Sequence, residues 1–167
     1  MSYYVIISIV LFSCYSCTHR KIESNDQTKK IIILPKEIEK KTKTYGLVND
    51  TKLKYVIYID GDCGSCIEKI FKWKELPKES PLILIPKIYI VGTSNIPRFE
   101  FMMEYSNITF DYYLDSLGVY LKSNEFNNSS FHTLLLDKDN IIIAFGDPFY
   151  SKRNLLYHEN AIKKHYQ

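Results

Sequence analysis

Residues 54–73, KYVIYIDGDCGSCIEKIFKW, hold the sharpest change of hydrophobic period in the chain. Tyr55, Val56, Ile57, Tyr58 and Ile59 form an unbroken β-branched and aromatic run, the pattern of a buried strand. An acidic turn follows, Asp60-Gly61-Asp62, and beyond Cys63-Gly64-Ser65-Cys66 the residues Ile67, Ile70 and Phe71 fall at helical spacing. The pattern predicts a strand, a tight turn and an amphipathic helix, with two cysteines at the junction.

A second apolar run, 82–91, is interrupted by Pro86. Proline cannot donate to a ladder, so 87–91 is the expected central strand, ended by Gly92. Residues 95–105 predict an amphipathic helix opened by Ser94 or Asn95, with Pro97 in its first turn. Residues 108–115 alternate loosely, as a third strand carrying Phe110, Tyr112 and Leu114 would, and 116–130 read as loop or irregular helix. The runs FHTLLL (131–136) and IIIAF (141–145) flank a polar turn and predict an antiparallel hairpin. Residues 155–165 then form a short terminal helix. This order predicts an α/β fold: a parallel βαβ unit in a mixed sheet that the hairpin extends antiparallel.

The N-terminal run MSYYVIISIVLFSCYSC is uncharged, apolar and shorter than the roughly 20 residues a spanning helix needs. It reads as the core of a secretory signal. Ser13 directly before Cys14, with Leu11 two places earlier, resembles the lipobox of bacterial lipoproteins, in which cleavage leaves the cysteine as a lipidated N-terminus. Cys17 after Ser16 is the weaker match. The run lacks a Lys or Arg at its start, and Phe12 is bulkier than the pattern prefers. Residues 18–44 are polar and charged and read as a tether, broken by Ile31, Ile32, Ile33 and Leu34 before Pro35. Those four form either a short edge strand of the tether or a segment paired onto the sheet. The expected organisation is leader 1–17, tether 18–44 and folded domain 45–167.

With 167 residues, 46% hydrophobic and 14% aromatic, the chain suits one domain with appendages. A net charge of +3 with Lys and Glu intermixed argues against a nucleic-acid partner. The tyrosines and phenylalanines are spread through the strand runs, as core and sheet surface.

Chemistry is expected at the cysteine junction. Unpaired amides at a helix N-terminus favour a thiolate, which makes Cys63 the candidate nucleophile. Cys66, one turn on, can resolve a mixed disulfide formed at Cys63 by closing a Cys63–Cys66 disulfide. Gly64 would allow a sharp turn and Ser65 would cap the helix. Haem attachment would need His where Ile67 stands, and zinc would need two more ligands, for which the formal second pair, Cys14 and Cys17, lies in the apolar leader. No metal or organic cofactor is expected. Lys69, Lys72 and Lys74 read as the wet face of the helix, and His19, His158 and His165 as solvated.

YVIYIDGDCGSC with its helix, followed by FHTLLLDKDNIIIAFGDP, resembles a thioredoxin-fold domain of the bacterial, membrane-tethered, extracytoplasmic kind, over about 45–167. The resemblance implies a three-layer sandwich. It also implies a thiol-disulfide oxidoreductase acting on protein dithiols and disulfides, monomeric and lipid-anchored in the cell envelope. The family's cis-proline, which faces the cysteines and helps hold substrate, is matched at about Phe131, between Ser130 and His132. A non-proline cis bond costs about 2.5–4 kcal/mol, so a trans bond and an altered substrate loop at Phe131 and His132 are expected. His132 would either serve the cysteines as a proton carrier or point across the sheet. The family's aromatic residue before the first cysteine is replaced by Asp62, whose charge is expected to raise the Cys63 pKa. These departures leave a second class open, a thioredoxin-fold binding or scaffold lipoprotein whose Cys63–Cys66 disulfide is structural. A peroxide-reducing variant would want an arginine beside its cysteine, and Arg98 and Arg153 show no link to Cys63 in the sequence.

Overall fold

The computed structural model describes residues 30–38 and 52–167. The expected leader with Cys14 and Cys17, His19, and the expected start of the domain at Tyr45 lie outside the described residues. The strands are β1 (Leu53–Asp60), β2 (Lys87–Gly92), β3 (Tyr112–Leu114), β4 (Thr133–Asp137) and β5 (Ile142–Phe145); the helices are α1 (Gly64–Lys74), α2 (Ile96–Tyr105), α3 (Val119–Ser123) and α4 (Lys152–Tyr166). They form one sheet of order β3-β2-β1-β4-β5. β1 pairs parallel with β2, from Tyr55 opposite Lys87 to Asp60 opposite Gly92, and antiparallel with β4. β2 and β3 are parallel, and β4 and β5 are the expected hairpin.

β1 is the central strand, which is why its sequence is apolar at consecutive positions rather than at every second one. Period-two alternation sends Tyr55, Ile57 and Ile59 to one face. There they pack with Ile67, Ile70 and Trp73 of α1, Phe99 and Met103 of α2, and Ile162 of α4. Val56, with Ile90, Leu134, Leu136 and Ile142, lies in a second cluster that contains Tyr120, Phe126, Ile32, Leu34 and Ile38. The result is helices, sheet, and a thinner third layer.

That third layer settles the isoleucine run. α3 has only five residues, and the sheet area it leaves is covered by Ile32, Leu34 and Ile38, buried while Ile31 and Ile33 point outward. Ile31 bridges to Ile141, and the Ile32 amide donates to the Asn140 carbonyl at 2.8 Å. The buried Asn124 accepts from the Ile33 amide at 2.8 Å and donates to the Ile33 and Tyr120 carbonyls, each at 2.9 Å. Residues 30–38 of the expected tether are thus packed on the sheet.

Other expectations are adjusted. Leu82 to Leu84 lie in a 3-10 turn, Pro81–Leu84, where the Lys87 ammonium bonds the carbonyls of Leu82, Ile83 and Ile85 at 3.0, 3.3 and 2.8 Å. Phe131 and His132 belong to a 3-10 turn, Ser129–His132, not to the strand; the Asn128 side chain accepts from the Ser130 amide and fixes its start. α4 begins at Lys152, earlier than its apolar residues suggest, because Ser151 caps it by accepting from the Asn154 amide at 3.1 Å.

His158 is not solvated. It is fully buried, 3.1 Å from the Tyr55 hydroxyl through Nδ1 and 3.0 Å from the Gly146 carbonyl through Nε2. A carbonyl can only accept, so Nε2 carries the proton and Nδ1 accepts from Tyr55. This places a polar link between β1, α4 and the turn after β5, beneath the Tyr55–Trp73 ring contact at 4.7 Å. His165 is half-buried beside Tyr166.

Candidate active site

β1 ends at Asp60, and the chain reverses over the next two residues. The Gly61 amide donates to the Gly92 carbonyl at 2.8 Å, the Asp62 amide to the Asp60 carboxylate at 3.0 Å, and the Cys63 amide to the Asp60 carbonyl at 3.2 Å. The turn is pressed against β2 and α2: a Cβ on Gly61 would lie 3.0 Å from each of Phe99, Thr93 and Val91. The glycine the turn requires is therefore Gly61. Gly64, expected to serve this purpose, has open space where a Cβ would go.

Cys63 occupies the N-cap of α1 with extended backbone, φ −107° and ψ 109°, and no side chain caps the helix. Ser65 is not the cap. Its hydroxyl instead lies 3.2 Å from Cys63 Sγ, and the Cys66 thiol donates to Cys63 Sγ at 2.7 Å. The junction thus presents two half-exposed thiols side by side at the sheet edge.

Their acidities are split. Hydrogen bonds from the Cys66 thiol, the Ser65 hydroxyl and the Cys66 amide lower the Cys63 pKa, against partial burial and the charge of Asp60. Burial, followed by its hydrogen bond to Cys63 and the Cys63 charge, raises Cys66 to about 11, with Lys69 opposing. One sulfur is prepared to be a thiolate and the other to keep its proton.

Asp62 is engaged elsewhere. Its carboxylate accepts from the Thr93 hydroxyl at 2.6 Å, the Ser94 amide at 3.0 Å and the Ser94 hydroxyl at 2.9 Å, and these bonds hold it down to about 2. The carboxylate whose charge opposes the Cys63 thiolate is that of Asp60.

The two loop residues part company. Phe131 stacks on Phe126 and Phe145, at 5.0 and 5.4 Å, within the second core cluster, so it is a packing residue. His132 stands edge-on to Tyr58 at 5.0 Å; burial and the Lys69 charge lower its pKa, with Asp60 opposing. Lys69 and Asp60 thus act on both His132 and Cys66, and the imidazole is neutral at pH 7. All peptide bonds of the described residues are trans.

Lys69 is not simply the wet face of α1. Half-buried, it lies 3.9 Å from the Asp147 carboxylate, and its charge reaches Cys66, one helical turn before it. Spacing alone contained that signal, since residues three apart share a helix face. Thr93 and Ser94 carried none: a hydroxyl pair after a strand becomes part of the site only once β2 is placed beside β1. Among the described residues no cluster of three or more His, Cys, Asp or Glu could hold a metal ion, and no helix is long and apolar enough to cross a membrane.

No protein-family model matches the sequence, and comparison with curated protein sequences finds no match. Solved structures do match. One, from Chlorobium tepidum and assigned as a thiol:disulfide interchange protein DsbE, superposes with a TM-score of 0.51 at 11% identity, covering 71% of this chain and 84% of its own. Another, the reduced N-terminal domain of PilB from N. meningitidis, gives 0.48 at 10% identity over 74% of this chain and 85% of its own. With its central mixed sheet, parallel βαβ unit, antiparallel hairpin and flanking helices, and its superposition on the first of these, the chain has the thioredoxin-like fold.

Proposed function

We propose that the chain catalyses thiol-disulfide exchange on protein dithiols and disulfides through Cys63 and Cys66. The observation that carries this is geometric: two half-exposed thiols stand side by side at the start of α1, with the Cys66 thiol donating to Cys63 Sγ at 2.7 Å. The Cys63 thiolate attacks a disulfide sulfur of the partner, forming a mixed disulfide and releasing one partner sulfur as thiolate. The Cys66 thiol then loses its proton and attacks Cys63 Sγ, closing the Cys63–Cys66 disulfide and releasing the second partner sulfur, which takes a proton. The two electrons come from the cysteine pair, so the cycle needs no cofactor, and it runs in reverse to oxidise a dithiol. The fold shared with a thiol:disulfide interchange protein supports the reading.

The placement in our reading is extracytoplasmic: the leader within 1–17 is cut directly before Cys14, or as the weaker candidate before Cys17, and that cysteine carries the lipid that anchors a monomer in a bacterial cell envelope. The match at Ser13-Cys14 supports this, and mass spectrometry of the mature N-terminus tests it. A second reading is a binding or scaffold protein with a structural disulfide. It is favoured by Phe131, which packs against Phe126 and Phe145 where a substrate-holding loop residue would be expected to face the cysteines.

Redox titration of the purified domain separates the two. Exchange predicts a disulfide that equilibrates with glutathione buffers and is lost in Cys63→Ser. A potential well below about −300 mV, with wild type and variant indistinguishable toward a disulfide peptide, contradicts exchange and favours the structural bridge.

A further inference from the structure

Asp62 is exposed, yet both of its carboxylate oxygens are committed to one turn 31 and 32 residues away in sequence. Oδ1 takes the Thr93 hydroxyl and Oδ2 takes the amide and hydroxyl of Ser94. Thr93 is itself fixed: it is buried, and its Oγ1 accepts from the Asn95 amide at 3.1 Å. Asn95 in turn caps α2 by accepting from the Arg98 amide at 3.1 Å. An unbroken chain of hydrogen bonds therefore runs from the residue next to the first cysteine to the start of the neighbouring helix. Nothing in the hydrophobic core demands it, because Asp62 and Ser94 are both at the surface.

We propose that Asp62 is a positioning residue for Cys63: its clamp on Thr93 and Ser94 holds Cys63 at the N-cap, where the Ser65 hydroxyl and Cys66 thiol reach its sulfur. The consequence for partner exchange rests on the function proposed above; the effect on Cys63 ionisation does not. A carboxylate beside a thiol would ordinarily suppress the thiolate. Here the three donors hold the carboxylate on the Thr93–Ser94 turn, and the geometry they impose favours the thiolate. The charge that acts on the Cys63 sulfur is that of Asp60, at the end of β1, while Lys69, on the next turn of α1, acts on Cys66 and on His132 of the facing turn. Asp62 faces β2 and α2 instead.

Clamp and charge predict opposite signs, which makes the proposal testable. The pH dependence of iodoacetamide modification at Cys63, followed by peptide mass in the reduced full chain, is compared for wild type, Asp62→Ala, Asp62→Asn and Thr93→Val. The clamp predicts that Asp62→Ala moves the Cys63 midpoint upward by about half a unit or more, slowing modification at neutral pH about threefold. Thr93→Val, which keeps the carboxylate, moves it the same way, and Asp62→Asn, which keeps one acceptor oxygen, falls between. A midpoint that drops in Asp62→Ala, or does not move, overturns the proposal. If Asp62→Ala or Thr93→Val fails to fold, as judged by its thermal transition, Ser94→Ala removes one donor only, and an unchanged or lower midpoint there overturns it equally. Because the readout is modification of a thiol, a wild-type protein that exchanges with no partner would refute the proposed function while leaving this result readable.

Discussion

Replacing His158 by Gln should remove most of the acid sensitivity of folding between pH 6.5 and 4 while leaving stability at pH 7 close to wild type. In the folded protein His158 is neutral, donating from Nε2 to the Gly146 carbonyl and accepting at Nδ1 from Tyr55. Burial pushes its pKa down from 6.5 to about 4, against the pull of the Gly146 and Phe145 backbone and of Asp147. The unfolded chain, with an ordinary imidazole, takes up a proton across that interval that the folded chain refuses. The unfolded state then binds more protons, so stability is fully present above about pH 6.5 and is lost as pH falls toward 4. Each pH unit in which one such proton is refused costs about 1.4 kcal/mol, so the interval from 6.5 to about 4 amounts to about 3 kcal/mol. Gln can donate from its amide nitrogen and accept at its amide oxygen without titrating. Urea unfolding of both proteins at pH 7 and pH 4.5 measures the difference. The wild type should lose most of that 3 kcal/mol more than the variant, His132 contributing a loss of the same sign to both. A variant that keeps the wild-type pH dependence would refute the assignment of the buried neutral imidazole.

Further outcomes follow from single contacts. Ser65→Ala removes the hydroxyl 3.2 Å from Cys63 Sγ and should raise the Cys63 midpoint in a thiol-modification titration; a fall would show that Ser65 does not favour the thiolate. Gly92→Ala places a Cβ 1.9 Å from the Tyr58 hydroxyl oxygen and 2.7 Å from its ring carbon, so the ring must move. The expected loss, by denaturant unfolding, is about 1–3 kcal/mol, and an unchanged midpoint would contradict the packing described. Asn124→Ala deletes the side-chain bonds that hold the Ile33 backbone and should cost about 2 kcal/mol, with faster amide exchange at Ile33. Unchanged exchange there would mean that the segment is held by apolar contacts alone.

The sheet was legible because each strand advertises itself locally. The unbroken run of β1, the proline that excludes 82–86 from β2, and the polar turn between β4 and β5 are all properties of consecutive residues. What stayed hidden depends on partners distant in sequence. Ile32, Leu34 and Ile38 look like an interruption in a polar stretch until α3 proves too short to cover its face of the sheet. His158 looks like a polar residue of a terminal helix, and only the pairing of β1 with β4, and of β4 with β5, brings Tyr55 and Gly146 to its two nitrogens. At the site, the placement of the two cysteines at the helix start could be read from the sequence. The effect of Asp62 could not, because adjacency to Cys63 suggested repulsion whereas its carboxylate points to Thr93 and Ser94 across the β1–β2 pair. Phe131 and His132 were singled out together from their place before the hairpin; the 3-10 turn sends the first into the core and sets the second beside Tyr58.

The central claim is that Cys63 attacks and Cys66 resolves. It is tested most directly by trapping the intermediate: reduced Cys66→Ser and Cys63→Ser chains are mixed with a disulfide-bonded peptide at neutral pH, and the products are weighed by mass spectrometry. The account predicts that Cys66→Ser accumulates a stable adduct through Cys63, whereas Cys63→Ser, left with the more deeply placed thiol whose pKa burial raises, forms none on the same timescale. Equal adducts in the two variants, or none in either, would contradict it.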